Sequence, residues 1–181
     1  MKNLALHILD IVDNSIRAKA CCVKISIGES ISKNLYMLTI SDDGSGMSEE
    51  LLEKVTDAYT TTRTTRKIGL GLPLLKQHAE MCDGSFCIES ESGKGCTVSA
   101  SFKLNHIDKP PTGDIPGVIR ILTSGNRNLR VIYSHVTDYG QFEFDSEMIK
   151  YELGEREFYN PLIQKYIKEM IYENITGIKA S

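Results

Sequence analysis

Two pairs of apolar, strand-like runs, each pair joined by a tight turn, bracket two helical stretches in the N-terminal half of the chain. This order constrains the fold more than any other feature. The first pair is CCVKISIGES with NLYMLTISDDG, turning through GESISKN; the second is SFCIESES with CTVSASFKL, turning through SGKG. Runs joined this closely pair antiparallel. Ahead of them, residues 3–18 repeat with helical period, placing Ala5, Ile8, Leu9, Val12 and Ile16 on one face. Between the pairs, EELLEKVTDAY reads as a short helix with Ser48 as cap and acids in its first turn. GLGLPLLKQHAEMCDG reads as a helix opened by a glycine pair, with Pro73 near its first turn and Gly84 at its end. The sum over residues 1–104 is an α+β fold: a two-layer sandwich in which helices cover one face of a mixed, mostly antiparallel sheet.

The stretch NHIDKPPTGDIPG is rich in Pro and Gly and marks a boundary, setting off residues 105–181 as a small α/β C-terminal appendage. There GVIRILTSG, LRVIYSHVT and YGQFEFD are strand candidates, and SEMIKYELG is a short helix ended by Gly154. Asn160 caps a last helix with Pro161 at its first position and an apolar stripe of Ile163, Tyr166, Ile167, Met170 and Ile171. The appendage is expected to pack on the first part or on a partner, with Tyr166 and Tyr172 as candidate docking side chains.

A net charge of −3 gives no general attraction to nucleic acid or to an anionic membrane. No apolar run approaches the roughly 20 residues that span a bilayer. Acids enter the N-terminal stretch MKNLALHILDIVDNS too early for a signal peptide, so it is expected to be retained and the protein to be cytoplasmic. The five cysteines are odd in number and form no CxxC pair, which argues against a disulfide framework or structural zinc and for a reducing compartment.

Four stretches carry chemistry. Asp42-Asp43-Gly44-Ser45-Gly46-Met47 follows directly on a strand, so an acid at the strand end can accept hydrogen bonds from a ligand while the glycines turn the chain sharply. Lys67-Ile68-Gly69-Leu70-Gly71-Leu72-Pro73 opens a helix; free N–H groups and the helix dipole there favour phosphate, and Arg63, Arg66 and Lys67 add positive charge. Ser92-Gly93-Lys94-Gly95-Cys96-Thr97 is a hairpin turn and not a P-loop, since Gly follows the GK pair and a strand follows the turn. On the first helix Asp10 and Asn14 are four apart and share a face. An amide oxygen suits a Mg²⁺ that also holds phosphate oxygens and waters, and a carboxylate one turn back can orient or deprotonate a water. His7 lies on the same face and reads as a structural histidine; His78 reads as packing.

In this order the four stretches resemble the ATP-binding fold shared by DNA gyrase, the Hsp90 chaperones, histidine kinases and the MutL mismatch-repair proteins. DIVDNSIRAKA is similar to the N-box of the mismatch-repair branch, ELVENSLDAGA. GLGLPLLKQHAEMCDGSFCIESESGKGCTVSASF is similar to the histidine-kinase catalytic domain. The resemblance covers about residues 4–104 and implies ATP and Mg²⁺ as cofactors. It implies that Asn14 ligates Mg²⁺, that Asp10 stands where an acid activates the attacking water, and that Asp42 accepts from the adenine amino group with Thr97 beside it through a water. Gly44, Gly46 and Met47 would then pass close to the base. Gly69, Leu70, Gly71 and Leu72 would wrap the triphosphate, Thr62 and Arg63 would border the lid, and Lys67 with Arg63 and Arg66 would compensate phosphate charge.

Two departures bear on activity. Position 10 is Asp where the ATPase branches carry Glu, one methylene shorter, so slow turnover is expected. The N-box also begins at about residue 7, so no upstream helical hairpin with a phospho-accepting histidine is expected. The expected function is therefore ATP·Mg²⁺ binding with slow hydrolysis or transfer of the γ-phosphate to a partner protein, in the manner of a signalling kinase. The alternative is a nucleotide-gated interaction module without useful catalysis. Neither involves nucleic acid or a membrane span, and oligomerisation is open.

Overall fold

The computed structural model of the protein describes residues 2–56 and 71–181. Among the described residues the elements run α1 (Leu4–Arg17), β1 (Cys22–Ser30), β2 (Leu35–Asp42), α2 (Glu49–Thr56), α3 (Gly71–Met81), β3 (Phe86–Glu91) and β4 (Gly95–Lys103). They continue with α4 (Ile115–Gly125), β5 (Arg130–Thr137), β6 (Gly140–Asp145), α5 (Ser146–Leu153), α6 (Glu155–Phe158) and α7 (Pro161–Gly177). The strands form one sheet in the order β3-β4-β2-β1-β5-β6. The β1–β5 pairing is parallel and the others are antiparallel. This is the α+β architecture expected, a mixed sheet that is mostly antiparallel.

Alternation along each strand decides which face is covered. Val23, Ile25 and Ile27 of β1 are buried with Tyr36, Leu38 and Ile40 of β2, and with Val98, Ala100 and Phe102 of β4. Val131 and Tyr133 of β5 and Phe144 of β6 continue the same layer. Against it lie Leu4, Ile8, Ile11 and Val12 of α1, Leu72, Leu75 and Ala79 of α3, and Ile115, Ile119 and Leu122 of α4, with Ile167 and Ile171 of α7 behind. The other face is polar, and hydroxyl pairs cross it: Ser41 with Thr97 at 2.8 Å, Thr39 with Ser99 at 3.3 Å, and Ser134 donating to Ser26 at 2.9 Å. A sheet with one apolar face needs helices on that face alone.

The C-terminal residues are continuous with this sheet. β5 docks along β1 from Cys22↔Arg130 to Gly28↔Val136, and β6 completes the edge. One expected strand is a helix. GVIRILTSG lies in α4, where the Asp114 side chain accepts from Gly117 N–H and Pro116 occupies the first turn. With those start signals, Ile115, Val118, Ile119 and Leu122 fall on one helical face, and all are buried. The apolar stripe of α7 packs within the molecule, whereas Tyr166 and Tyr172 stay exposed.

Candidate functional site

Helix α1 starts on Asn3, whose side chain accepts from Leu6 N–H, and it ends at Arg17. It lies beside the end of β2, and the two meet through Asp42. Asp42 Oδ2 accepts from the Ser15 hydroxyl at 2.6 Å, and Oδ1 accepts from Gly44 N–H at 2.9 Å. The neighbouring acid has a different task. Asp43 Oδ1 takes both the Cys21 and Cys22 N–H groups, at 2.7 and 2.8 Å, and so fixes the start of β1. Of the Asp-Asp pair, Asp42 lines a cavity.

That cavity, about 290 Å³, is walled by Ile11, Asn14, Ser15, Arg17 and Ala18 of the α1 region, by Asp42, Ser45, Gly46 and Met47, by Leu51 and Val55 of α2, by Leu72 of α3, and by Cys96 and Val98 of β4. The turn from Asp42 to Met47 is clamped on the β3–β4 hairpin. Ser90 Oγ accepts from Met47 N–H at 2.9 Å and donates to Gly95 O at 2.7 Å. Gly46 has φ +62° and lies so close to the hairpin that an added Cβ would stand 2.0 Å from Glu91 O; one on Gly95, at φ +89°, would stand 1.9 Å from Asp42 O. These two glycines allow the backbone-on-backbone approach of the turn to the hairpin. Burial, and then the Asp42 carboxylate, push the Cys96 thiol up to about 11, so Cys96 is a neutral wall.

The expected residues divide into four groups. Asn14, Asp42, Gly46, Met47 and Leu72 line this one cavity. Gly71 is the buried first residue of α3, and Gly44 supports Asp42 from behind. Thr62, Arg63, Lys67, Gly69 and Leu70 lie outside the described residues. Thr97 and Asp10 are placed elsewhere. Thr97 pairs with Ser41 on the polar face of the sheet, because it sits between Cys96 and the inward-facing Val98. Cys96, paired with Asp42 across β2 and β4, lines the cavity, and Thr97 is the next residue along β4. Asp10 opens into a groove between α1 and α4 lined by Leu6, Leu9, Asp13, Ile16, Ile121, Leu122 and Asn126, and its Oδ2 is buried with no hydrogen-bond partner among the described residues. Asp13 pairs with Arg17 at 2.6 Å on the surface. Ser15 was missed; a hydroxyl one residue after the amide was the available signal.

Residues 2–106 match the family model of the histidine kinase-, DNA gyrase B- and HSP90-like ATPases, which covers more than half of the chain. The chain belongs to this family. Its N-terminal part is therefore an ATP-binding domain. Similar proteins include the sensor histidine kinase ZraS of Escherichia coli K12, 28% identical over 106 residues, 59% of this chain and 23% of that protein. The non-motile and phage-resistance protein of Caulobacter vibrioides is 28% identical over 116 residues, 59% of this chain and 14% of that protein. The heme sensor protein HssS of Staphylococcus saprophyticus is 34% identical over 77 residues, 41% of this chain and 17% of that protein. The chain thus spans less than a quarter of the length of each of these relatives. Among solved structures, the N-terminal domain of a DNA repair protein shares the fold with a TM-score of 0.53 at 18% identity, over 80% of this chain and 52% of that one. No helix among the described residues is long and apolar enough to cross a membrane.

Proposed function

We propose that this family member binds ATP with Mg²⁺ in the cavity between α1 and the end of β2, and passes the γ-phosphate slowly to water or to a partner protein in a signalling pathway. The observation that carries the reading is Asp42: a carboxylate held by Ser15 and Gly44 at one end of an otherwise largely apolar cavity. A carboxylate only accepts, so it selects a flat ring that offers a donor, as the adenine amino group does. Asn14, one turn before Ala18 on the same wall, supplies a hard amide oxygen. Mg²⁺ in nucleotide sites takes one or two protein ligands and completes its shell with phosphate oxygens and water, so a single amide fits it. The ion would neutralise charge on the phosphates. Leu72, at the start of α3, brings the first turn of that helix to the cavity, where its N–H groups suit the phosphates.

The test is titration of the purified protein with Mg·ATP. Wild type is expected to bind, and Asp42→Ala to bind at least tenfold more weakly, the cost of a hydrogen bond to a charged group. No binding at millimolar ATP would sink the reading. Labelled ATP with cell extract then shows whether a protein accepts phosphate.

The position of Asp10 favours a second reading, a nucleotide-gated interaction module. Asp10 opens into the α1–α4 groove and not into the Asp42 cavity. If Asp10 is the base, Asp10→Asn abolishes phosphate release and spares binding. If wild type binds ATP and releases no phosphate to water or protein, the gated module stands. All five cysteines are free, which suits the cytoplasm for either.

A further inference from the structure

Helices α1 and α3 are joined by a histidine pair that the reading above does not use. His7 is fully buried, and its Nε2 lies 3.1 Å from Nδ1 of His78, with the rings edge to face. Burial, reinforced by the neighbouring imidazole, lowers His7 to about 4, and burial also lowers His78, so both rings are neutral near pH 7. A hydrogen bond between two neutral imidazoles uses one N–H and one lone pair, so each ring fixes the other's tautomer. The second nitrogen of His7, Nδ1, is buried without a partner among the described residues. A helix contact seldom accepts such a cost unless the geometry it fixes matters.

The location shows what it fixes. His7, Asp10 and Asn14 follow one another along one stripe of α1, at spacings of three and four. His78 stands two turns into α3, the helix whose first residue is Gly71. The rest of the α1–α3 contact is apolar: Leu72, Leu75 and Ala79 lie in one core with Ile8 and Ile11. Apolar contacts tolerate sliding, whereas a hydrogen bond is directional.

We propose that the His7–His78 pair is a positioning element of the nucleotide site. It fixes the axial register of α3 against α1, and with it the gap between Asn14 and the first turn of α3. The pair acts on the phosphate end of the cavity and leaves the Asp42 end alone. This rests on the ATP reading above.

The experiment compares Mg·ATP and AMP binding by wild type, His78→Leu and His78→Asn. His78 is the position to vary because it is half-buried, whereas His7 is in the core. His78→Leu is expected to weaken ATP about tenfold and AMP less than twofold, and His78→Asn, whose amide sits near the lost Nδ1, to restore ATP. Thermal melts confirm that each variant is folded, and His78→Ala replaces His78→Leu if the latter is not. Equal loss for ATP and AMP, or no loss for either, overturns the positioning role. A wild type that binds neither nucleotide overturns the ATP reading, and this proposal with it.

Discussion

On the proposed reading, recognition turns on the contact between Asp42 and Ser15, whose chemistry is asymmetric. The Ser15 hydroxyl spends its proton on Asp42 Oδ2, so the carboxylate is oriented before a ligand arrives. Removing that donor leaves Asp42 free to rotate. Ser15→Ala is expected to weaken adenine-nucleotide binding three- to tenfold, about the worth of one hydrogen bond. Thr97→Val, which breaks only the Ser41 contact on the far face, is expected to leave affinity within twofold. Calorimetric titration of both variants checks the assignment, and a larger loss at Thr97 would reverse it. His7 makes a separate prediction, for stability. Its imidazole has an ordinary value of 6.5 when unfolded and about 4 when folded. The folded state thus binds fewer protons between these values, so stability is full above about pH 6.5 and is lost as pH falls toward 4. A gap of that size is worth on the order of 3 kcal/mol. Denaturant unfolding at pH 7.5 and 4.5 should show wild type losing more than His7→Gln by about 2 kcal/mol or more; equal losses would mean that His7 is not held neutral.

At the scale of elements, α4 shows how a start signal outweighs composition. Its sequence is apolar and β-branched, and a short run of that kind reads equally as strand or helix. Asp114 decides. Its Oδ1 accepts from Gly117 N–H at 2.8 Å, and its Oδ2 accepts from Lys168 of α7 at 2.6 Å. The cap is the larger contribution, because the ion pair is exposed. Asp114→Ala is expected to cost about 1 kcal/mol, and Lys168→Ala to cost less than about 0.5 kcal/mol, in equilibrium unfolding. Equal costs would transfer the role to the ion pair. The same element separates what was legible in the sequence from what was not. The strand pairs, the order of helices and the Asp42 turn could be read directly, because alternation and turn residues are local. Cys96 was also within reach: it is in phase with the buried Val98, Ala100 and Phe102, and Thr97 is not. The turning of Asp10 toward α4 was out of reach, because it depends on a helix contributed from far along the chain and first read as a strand. The parallel pairing of β5 with β1 is likewise set by contacts distant in sequence.

For the whole molecule, the question is whether residues matched by the family model can stand without the remainder. The match ends at residue 106, yet the sheet does not end there. Cutting the chain at that point would leave β1 as an edge strand over the whole run from Cys22 to Gly28 that pairs with β5. The exposed edge would carry Val23, Ile25 and Ile27, a β-branched apolar series of the kind that recruits other strands. The cut would also remove Ile119 and Leu122 of α4 from the core they share with Ile8 and Val12 of α1. The likeness to the DNA repair domain points the same way, since it covers 80% of the chain and so extends into the residues beyond the family match. A fragment of residues 1–106 is therefore expected to aggregate, or to melt without cooperativity, while the full chain melts in a single transition. Gel filtration and thermal circular dichroism distinguish the outcomes. A monomeric fragment with a cooperative melt would show that the C-terminal strands decorate an autonomous ATP-binding domain. An aggregating fragment would show that β5, β6 and α4 complete the layer on which α1, and with it Asn14 and Ser15, is held against Asp42.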